Sequence, residues 1–353
     1  MAGVGLARAA TLRPSILQDE GAGLRDLASH RGLVYGAALA TYQLGTPEFA
    51  RVFAREAAIL VPEYEMKRGV IEAERGRYDF TGCDRLVEFA RGHGVAMRGH
   101  PLVWHKRNPD WLEQAVTETR DPRLFADYIA AVIARLKGQV HSWDVVNEAI
   151  EPSDGRHDAL RNSFWLKAYG PDYIDQAYHA ARAADPDAQL VYNDWGFEAG
   201  GPDNDRFRAA TLGFLDGALA RKVPIDALGI QGHLAAYGTK VDQRKLRSFL
   251  DDVRALGLGI LITEHDVDDS GGPSRRDERD RAVADASRRF LDVVVANPAT
   301  SALLTWGLSD RFLAAPGWQQ QLAGYSPRML PLDISFARKP LWHAIASSFV
   351  SGA

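Results

Sequence analysis

Eight short apolar runs recur along the chain, each separated from the next by amphipathic stretches of helical length, and this alternation constrains the fold more than any other feature. The runs are GLVYGAAL (32–39), ILVPEYEM (59–66), VAMRGHPLVWH (95–105), VHSWDVVNEA (140–149), QLVYNDW (189–195), DALGIQGHL (226–234), GILITEHDV (259–267) and SALLTWGLSD (301–310). Between them lie patterns such as CDRLVEFARGHG and RLFADYIAAVIARLKG, which close on Gly, Pro or a basic residue as helix C-termini do. Strands alternating with helices make a parallel sheet with crossover helices, and near-continuous apolar strands are covered on both faces. Eight such units in 353 residues predict an α/β fold, a single (β/α)8 TIM barrel. A doubly wound open sheet is the structural rival, but no Gly-x-Gly-x-x-Gly turn follows the first run. The barrel is assigned residues 24–353, opening with a helix near Leu24–His30, and residues 1–23 read as a loosely ordered lead-in. The segment DDSGGPSRRDERD (268–280) reads as a solvated loop leading into a helix.

Composition removes several function classes. A net charge of −4 leaves no electrostatic footprint for nucleic acid or an anionic membrane. No stretch approaches the ~20 apolar residues of a membrane span. The single cysteine, Cys83, excludes an internal disulfide and a Cys-based zinc site. The first residues, MAGVGLARAATLRPS, lack the apolar centre of a signal peptide.

Polar residues gather where the apolar runs end. In order these ends carry Glu65 and Lys67; His100, Trp104 and His105; Asn147 and Glu148; Asn193 and Asp194; Gln231 and His233; Glu264, His265 and Asp266; Trp306 and Asp310. One such residue is an ordinary loop contact, but seven of eight ends together mark the active-site face of a barrel. Glu148 and Glu264, distant in sequence, would face each other across its mouth. Paired carboxylates flanked by Trp, His, Asn and Lys suit glycoside hydrolysis: one protonates the leaving oxygen, and the other attacks the anomeric carbon or activates water. A metal hydrolase is the rival class, but no His-Glu-x-x-His occurs, and His100 and His105, five apart, would point opposite ways along a strand. No metal or cofactor is expected.

WDVVNEAI (143–150) resembles the acid/base segment of the family-10 glycoside hydrolases, the endo-β-1,4-xylanase family, and ILITEHDV resembles its nucleophile segment. EMK with GRYDF (65–80), GHPLVWH (99–105), YND (192–194), LGIQGHL (228–234), TWGLSD (305–310) and PLDISFARKPLW (331–342) follow in family order. The resemblance implies Glu148 as acid/base and Glu264 as a nucleophile forming a covalent glycosyl-enzyme, supported by Asn147, Gln231 and His233. It implies sugar binding by Lys67, Glu72, His100, Trp104 and Trp306. The implied activity is a retaining endo-1,4-β-xylanase, acting on xylan or xylo-oligosaccharides as a monomer, outside the cytoplasm because xylan is outside the cell. A hydrogen bond from His233 should keep Glu264 ionised, and its charge should raise the pKa of Glu148.

Departures from the family pattern touch sugar binding. Tyr64 stands where Asn is usual and Arg68 where Trp is usual, so both join the substrate-binding candidates, with simple repacking as the alternative. The second tryptophan expected after the last strand is replaced by Leu313-Ala314, and Trp318 is the candidate substitute. His265 replaces an aliphatic residue. Strand alternation turns it toward the helix layer if Glu264 faces the mouth. The same machinery on a differently decorated β-glycoside, and a saccharide-binding barrel with little catalysis, are the alternative functions.

Overall fold

The computed structural model describes residues 21–313 and 326–350. Each apolar run supplies a strand: β1 (Val34–Leu39), β2 (Ile59–Pro62), β3 (Ala96–Gly99), β4 (Ser142–Asn147), β5 (Gln189–Asp194), β6 (Ala227–Ile230), the short β7 (His233–Ala235), β8 (Gly259–Asp268) and β9 (Thr300–Thr305). Neighbours run parallel in the order β6-β5-β4-β3-β2-β1-β9-β8, and β6 pairs with β8, which closes eight strands into a barrel. Helices cover the outside, so the fold is a (β/α)8 TIM barrel. β7 stands off the ring and pairs with the far end of β8, His233 opposite Asp266. Most strands stop short of the runs that predicted them, because the polar ends leave the hydrogen-bonded ladder and become the loops of the barrel mouth.

The alternation of side chains divides the apolar residues into two cores. Ala38, Ile59, Val61, Val191, Ala227, Leu261, Ala302 and Leu304 fill the lumen. Their strand neighbours, including Ala37, Leu39, Leu60, Ile260, Ile262 and Leu303, pack against the helices. Alternation breaks in β8. From Ile262 to His265 this strand advances three residues while β9 advances two, Leu303 to Thr305. The extra residue is a β-bulge, and it re-aims the side chains beyond it.

Beside the chain ends a buried carboxylate ties distant segments together. Glu56 accepts from the Leu24 backbone N–H and from Trp342 Nε1, each at 2.9 Å. The first helix therefore starts where the final helix (Pro340–Val350) packs. It spans Leu24–Ser29, and residues 1–20 of the expected lead-in lie outside the described residues. The 268–280 segment departs from expectation: it is not solvated throughout. Asp269, Arg279 and Asp280 are buried, with Arg279 donating to Asp269 at 2.6 Å and Arg328 to Asp280 at 2.6 Å. Charges at that depth persist only when paired. Among the described residues no helix is long and apolar enough to cross a membrane.

At the end of β3 glycine is required by close approach. A Cβ on Gly99 would lie 2.1 Å from Trp143 Cε3, in the fully buried ring that β4 sends into the outer core. Gly99→Ala is expected to lower unfolding stability by about 1–3 kcal/mol through overpacking, measured by urea denaturation; an unchanged midpoint and slope would show that the ring moves aside freely.

Candidate active site

The C-terminal ends of the strands open into one cleft of about 610 Å³. Tyr64, Lys67, His100, Trp104, Asn147, Glu148, Gln231, His233, Glu264 and Trp306 all line it. Trp318 and Ala314 lie outside the described residues. Two candidates are placed elsewhere. Arg68 and Glu72 are buried against each other, Nη2 to Oε2 at 2.7 Å, and Arg68 packs over the Tyr128 ring at 4.3 Å. The short helix Arg68–Ile71 sets them four residues apart on one face, which favours their mutual pairing over contact with the cleft. Glu151 and Asp154 also stand apart: Glu151 pairs with Arg161 at 3.2 Å, and Asp154 accepts from the Asn162 N–H at 2.7 Å.

The bulge of β8 turns Glu264 into the cleft. Its Oε1 accepts from Asn193 Nδ2 at 2.8 Å and its Oε2 lies 3.3 Å from His233 Nε2. The other nitrogen of His233 is 2.8 Å from Asp266 Oδ1. Burial opposes a charge on His233, yet the two carboxylates Asp266 and Glu264 outweigh it and raise its pKa well above the usual value. The ring is thus an imidazolium donating to both. Burial alone would also raise the Glu264 carboxyl, but neighbouring cations and the His233 hydrogen bond bring it down to about 2. His100 is among those neighbours, but burial and then Lys67 hold it below its ordinary pKa, leaving His233 and Lys67 as the lasting charges. His100 is oriented from behind by Asp144, 2.8 Å from Nδ1.

Glu148 follows β4 with φ of +55°, a left-handed backbone rarely used outside glycine. The surrounding chain enforces it. The Tyr192 hydroxyl accepts from the N–H groups of Ala149 and Ile150 at 3.1 and 3.0 Å, and Arg161 Nε donates to the Glu148 carbonyl at 2.7 Å. Strain held in place this way is common at reacting residues. Glu148 Oε1 accepts from Gln231 Nε2 at 3.2 Å, and Oε2 lies 3.2 Å from Lys106 Nζ. Here the structure corrects the expected electrostatics. Burial raises the Glu148 carboxyl, but Lys106, then Gln231, Trp104 and His105, pull it below its ordinary pKa. The nearby cation outweighs any repulsion from Glu264.

Lys67 is buried between two indoles, 5.0 Å from the Trp104 ring centre and 5.3 Å from that of Trp306. Burial lowers its pKa to about 8, with Glu264 the main opposing influence. Its ammonium and the two rings form one wall of the cleft. The Asn147 amide packs on that of Asn193 at 2.9 Å. His265 faces the other way, as its strand position suggested: it stacks on Phe290 of the outer helix Arg276–Val294 at 5.4 Å.

Several lining residues were not singled out from the sequence: Glu63, Lys106, Trp195 and Glu198. Glu63 and Lys106 each stand next to residues that were chosen, on loops whose path alternation does not describe. Trp195 was legible in principle, since it directly follows the YND run end, where the other strand ends carry the residues of the cleft.

By sequence and fold together the chain is a glycoside hydrolase. It belongs to glycosyl hydrolase family 10, whose family model matches residues 23–348. Endo-1,4-beta-xylanase B of Thermotoga neapolitana is 32% identical over 326 residues, 91% of this chain and 90% of that protein. Native xylanase 10B of Thermotoga maritima superposes with a TM-score of 0.80 at 30% identity, covering 93% of this chain and 98% of that one. Xylanase 10B of Thermotoga petrophila RKU-1, solved in complex with xylobiose, also gives 0.80 at 30% identity, covering 94% and 98%.

The Lys106 contact makes a prediction about pH. Removing the cation favours the protonated form of Glu148, so its pKa rises. For Lys106→Ala the alkaline limb of kcat/KM, which reports the free enzyme, should move upward by about half a unit to one unit at low salt. A pH profile on an aryl β-xyloside measures it, and a limb that stays put or moves down contradicts the electrostatic role.

Proposed function

We propose that this protein is a retaining endo-1,4-β-xylanase that cleaves xylan or xylo-oligosaccharides by double displacement. The observation carrying the proposal is that Glu148 and Glu264 line one cleft with separate supports, Gln231 for the first and His233 for the second. The names of the similar proteins supply the substrate class: endo-1,4-beta-xylanase B and two xylanases 10B, one of them holding xylobiose.

In the first step Glu264, held ionised, forms a bond to the anomeric carbon as the glycosidic C–O bond breaks. Glu148 passes its proton to the departing oxygen. That proton must be present when substrate is bound, so the sugar has to displace Lys106 from Glu148. The Lys106 side chain is 57% exposed, and besides Glu148 its ammonium meets only the face of the Trp104 ring, at 5.6 Å, among the described residues. In the second step the Glu148 carboxylate takes a proton from water, whose oxygen attacks the anomeric carbon and releases Glu264. Lys106 assists this half, since a cation stabilises the ionised form that acts as base. Asn147 bonds the 2-hydroxyl of the sugar being cleaved, and Trp104, Trp195 and Trp306 offer ring faces to apolar sugar C–H surfaces.

A second reading, the same chemistry on a differently decorated β-glycoside, is favoured by one observation. Tyr64, with Glu63 beside it, lines the cleft in place of the family's usual Asn. Product profiles on xylan, glucuronoxylan and aryl cellobiosides separate the two readings. Since polymeric xylan lies outside the cell, the proposal includes action outside the cytoplasm, which cell fractionation tests.

Glu264→Ala is expected to reduce turnover of xylotetraose about 10⁴-fold or more, the scale seen when a catalytic group is removed. Azide should then restore cleavage with inverted anomeric configuration, read by NMR of the glycosyl azide. Near-normal hydrolysis by the variant, or inversion by the wild-type enzyme, would sink the mechanism.

A further inference from the structure

We propose that His265 is a positioning residue: it anchors the turn Gln231-Gly232-His233 and so aligns the supports of both catalytic carboxylates. The roles of Glu148 and Glu264 rest on the reading above; the anchoring geometry does not. His265 is fully buried, with Nδ1 2.8 Å from the Gly232 carbonyl and Nε2 2.8 Å from Ser287 Oγ. A carbonyl oxygen can only accept, so Nδ1 carries the proton, and Nε2 accepts from the serine hydroxyl. Burial holds the ring below its ordinary pKa, in keeping with one neutral tautomer.

Gly232 needs an external anchor. It follows the end of β6, has φ of +76°, and leaves the sheet before β7 begins. It has no side chain of its own, and a Cβ there would meet Ile262 Cγ2 and Phe290 Cε1 at 3.3 Å. Its peptide groups are instead gripped from two sides. The N–H donates to the buried Glu198 Oε1 at 3.2 Å, and the carbonyl accepts from His265. On either side of this glycine stand Gln231, which donates to Glu148, and His233, which donates to Glu264. This peptide thus links two side chains that serve opposite carboxylates, alongside the bonds of the Gln231 backbone to the Asp194 carbonyl and the Glu264 N–H at 2.9 and 3.0 Å. The backbone of His265 adds a further link, its carbonyl accepting from the Trp306 N–H at 3.0 Å.

An aliphatic residue at this position would fill space but leave the Gly232 carbonyl without that donor. The charged groups facing His233 are Asp266, Glu264 and Glu198; those facing Glu264 include His100, His233 and Lys67. Asp266 and His233 also act on the His265 ring electrostatically, but its side-chain hydrogen bonds run to the Gly232 carbonyl and to Ser287, and the proposed effect is exerted through that peptide.

The test compares the full-length wild type with His265→Leu and His265→Asn. Asparagine places an amide N–H near the position of Nδ1, whereas leucine places none. His265→Leu is expected to lower kcat on an aryl β-xylobioside about tenfold to a hundredfold, as small misplacements of reacting groups do, while KM changes less than about threefold. His265→Asn should recover most of the loss. Nitrogen NMR of the wild-type histidines should show His265 neutral and protonated at Nδ1 at about pH 7.5, and on acidification it should charge later than an ordinary histidine. Unchanged kcat in a folded His265→Leu variant overturns the proposal, as does equal impairment of both variants. A wild-type ring already charged at about pH 7.5, or protonated at Nε2 when neutral, overturns it even if the leucine variant fails to fold. If the wild type shows the expected tautomer but does not cleave β-1,4-xylosides, the functional reading fails while the anchor stands.

Discussion

Between Ile262 and His265 the eighth strand takes one residue more than its neighbour, and the cleft is organised around that step. Leu261 points into the lumen, so strict alternation would send Thr263 and His265 the same way and Glu264 toward the helices. The bulge lets Thr263 and Glu264 both reach the Asn193 amide, at 2.7 and 2.8 Å. It also returns His265 to the helix side, where Ser287 and Phe290 receive it. The nucleophile candidate and the histidine behind it therefore owe their directions to one irregularity.

Electrostatics separates the two carboxylates by giving them different cations. Glu264 has two: the His233 imidazolium, which Asp266 holds by its other nitrogen, and the buried ammonium of Lys67. Glu148 has Lys106, a largely exposed side chain on a loop. Under the proposed mechanism a held cation suits a group that stays ionised until it bonds to carbon, and an exposed one suits a group that gains a proton and later loses it. In the free enzyme both carboxyls are pulled below their ordinary pKa values, so that mechanism has substrate entry distinguish them.

Much of the site was legible because strand ends in a barrel converge whatever lies between them. Glu148, Gln231, His233 and Glu264 each sit at such an end, and the closed ring brings them to one cleft. Arg68 and Glu72 mislead for a local reason: a four-residue helix lets them satisfy each other, and sequence spacing records the pairing only after that helix is known. Lys106 was missed because its importance lies in a 3.2 Å contact to a residue 42 positions away. Asp266, in the sequence one of three polar residues at a run end, faces His233 only because β7 pairs beside β8.

By itself the sequence determined the eight-fold alternation, hence the barrel, and which residues stand at its open end. Those follow from period, burial and chain order, which are local properties. Alternation set Glu264 and His265 on opposite faces, but only the tertiary structure decided that the bulge turns Glu264 and not His265 to the mouth, which cation attends each carboxylate, and that Gly232 joins the two supports. These depend on register, on a single inserted residue and on side chains approaching across the barrel, none of which leaves a periodic trace in the chain.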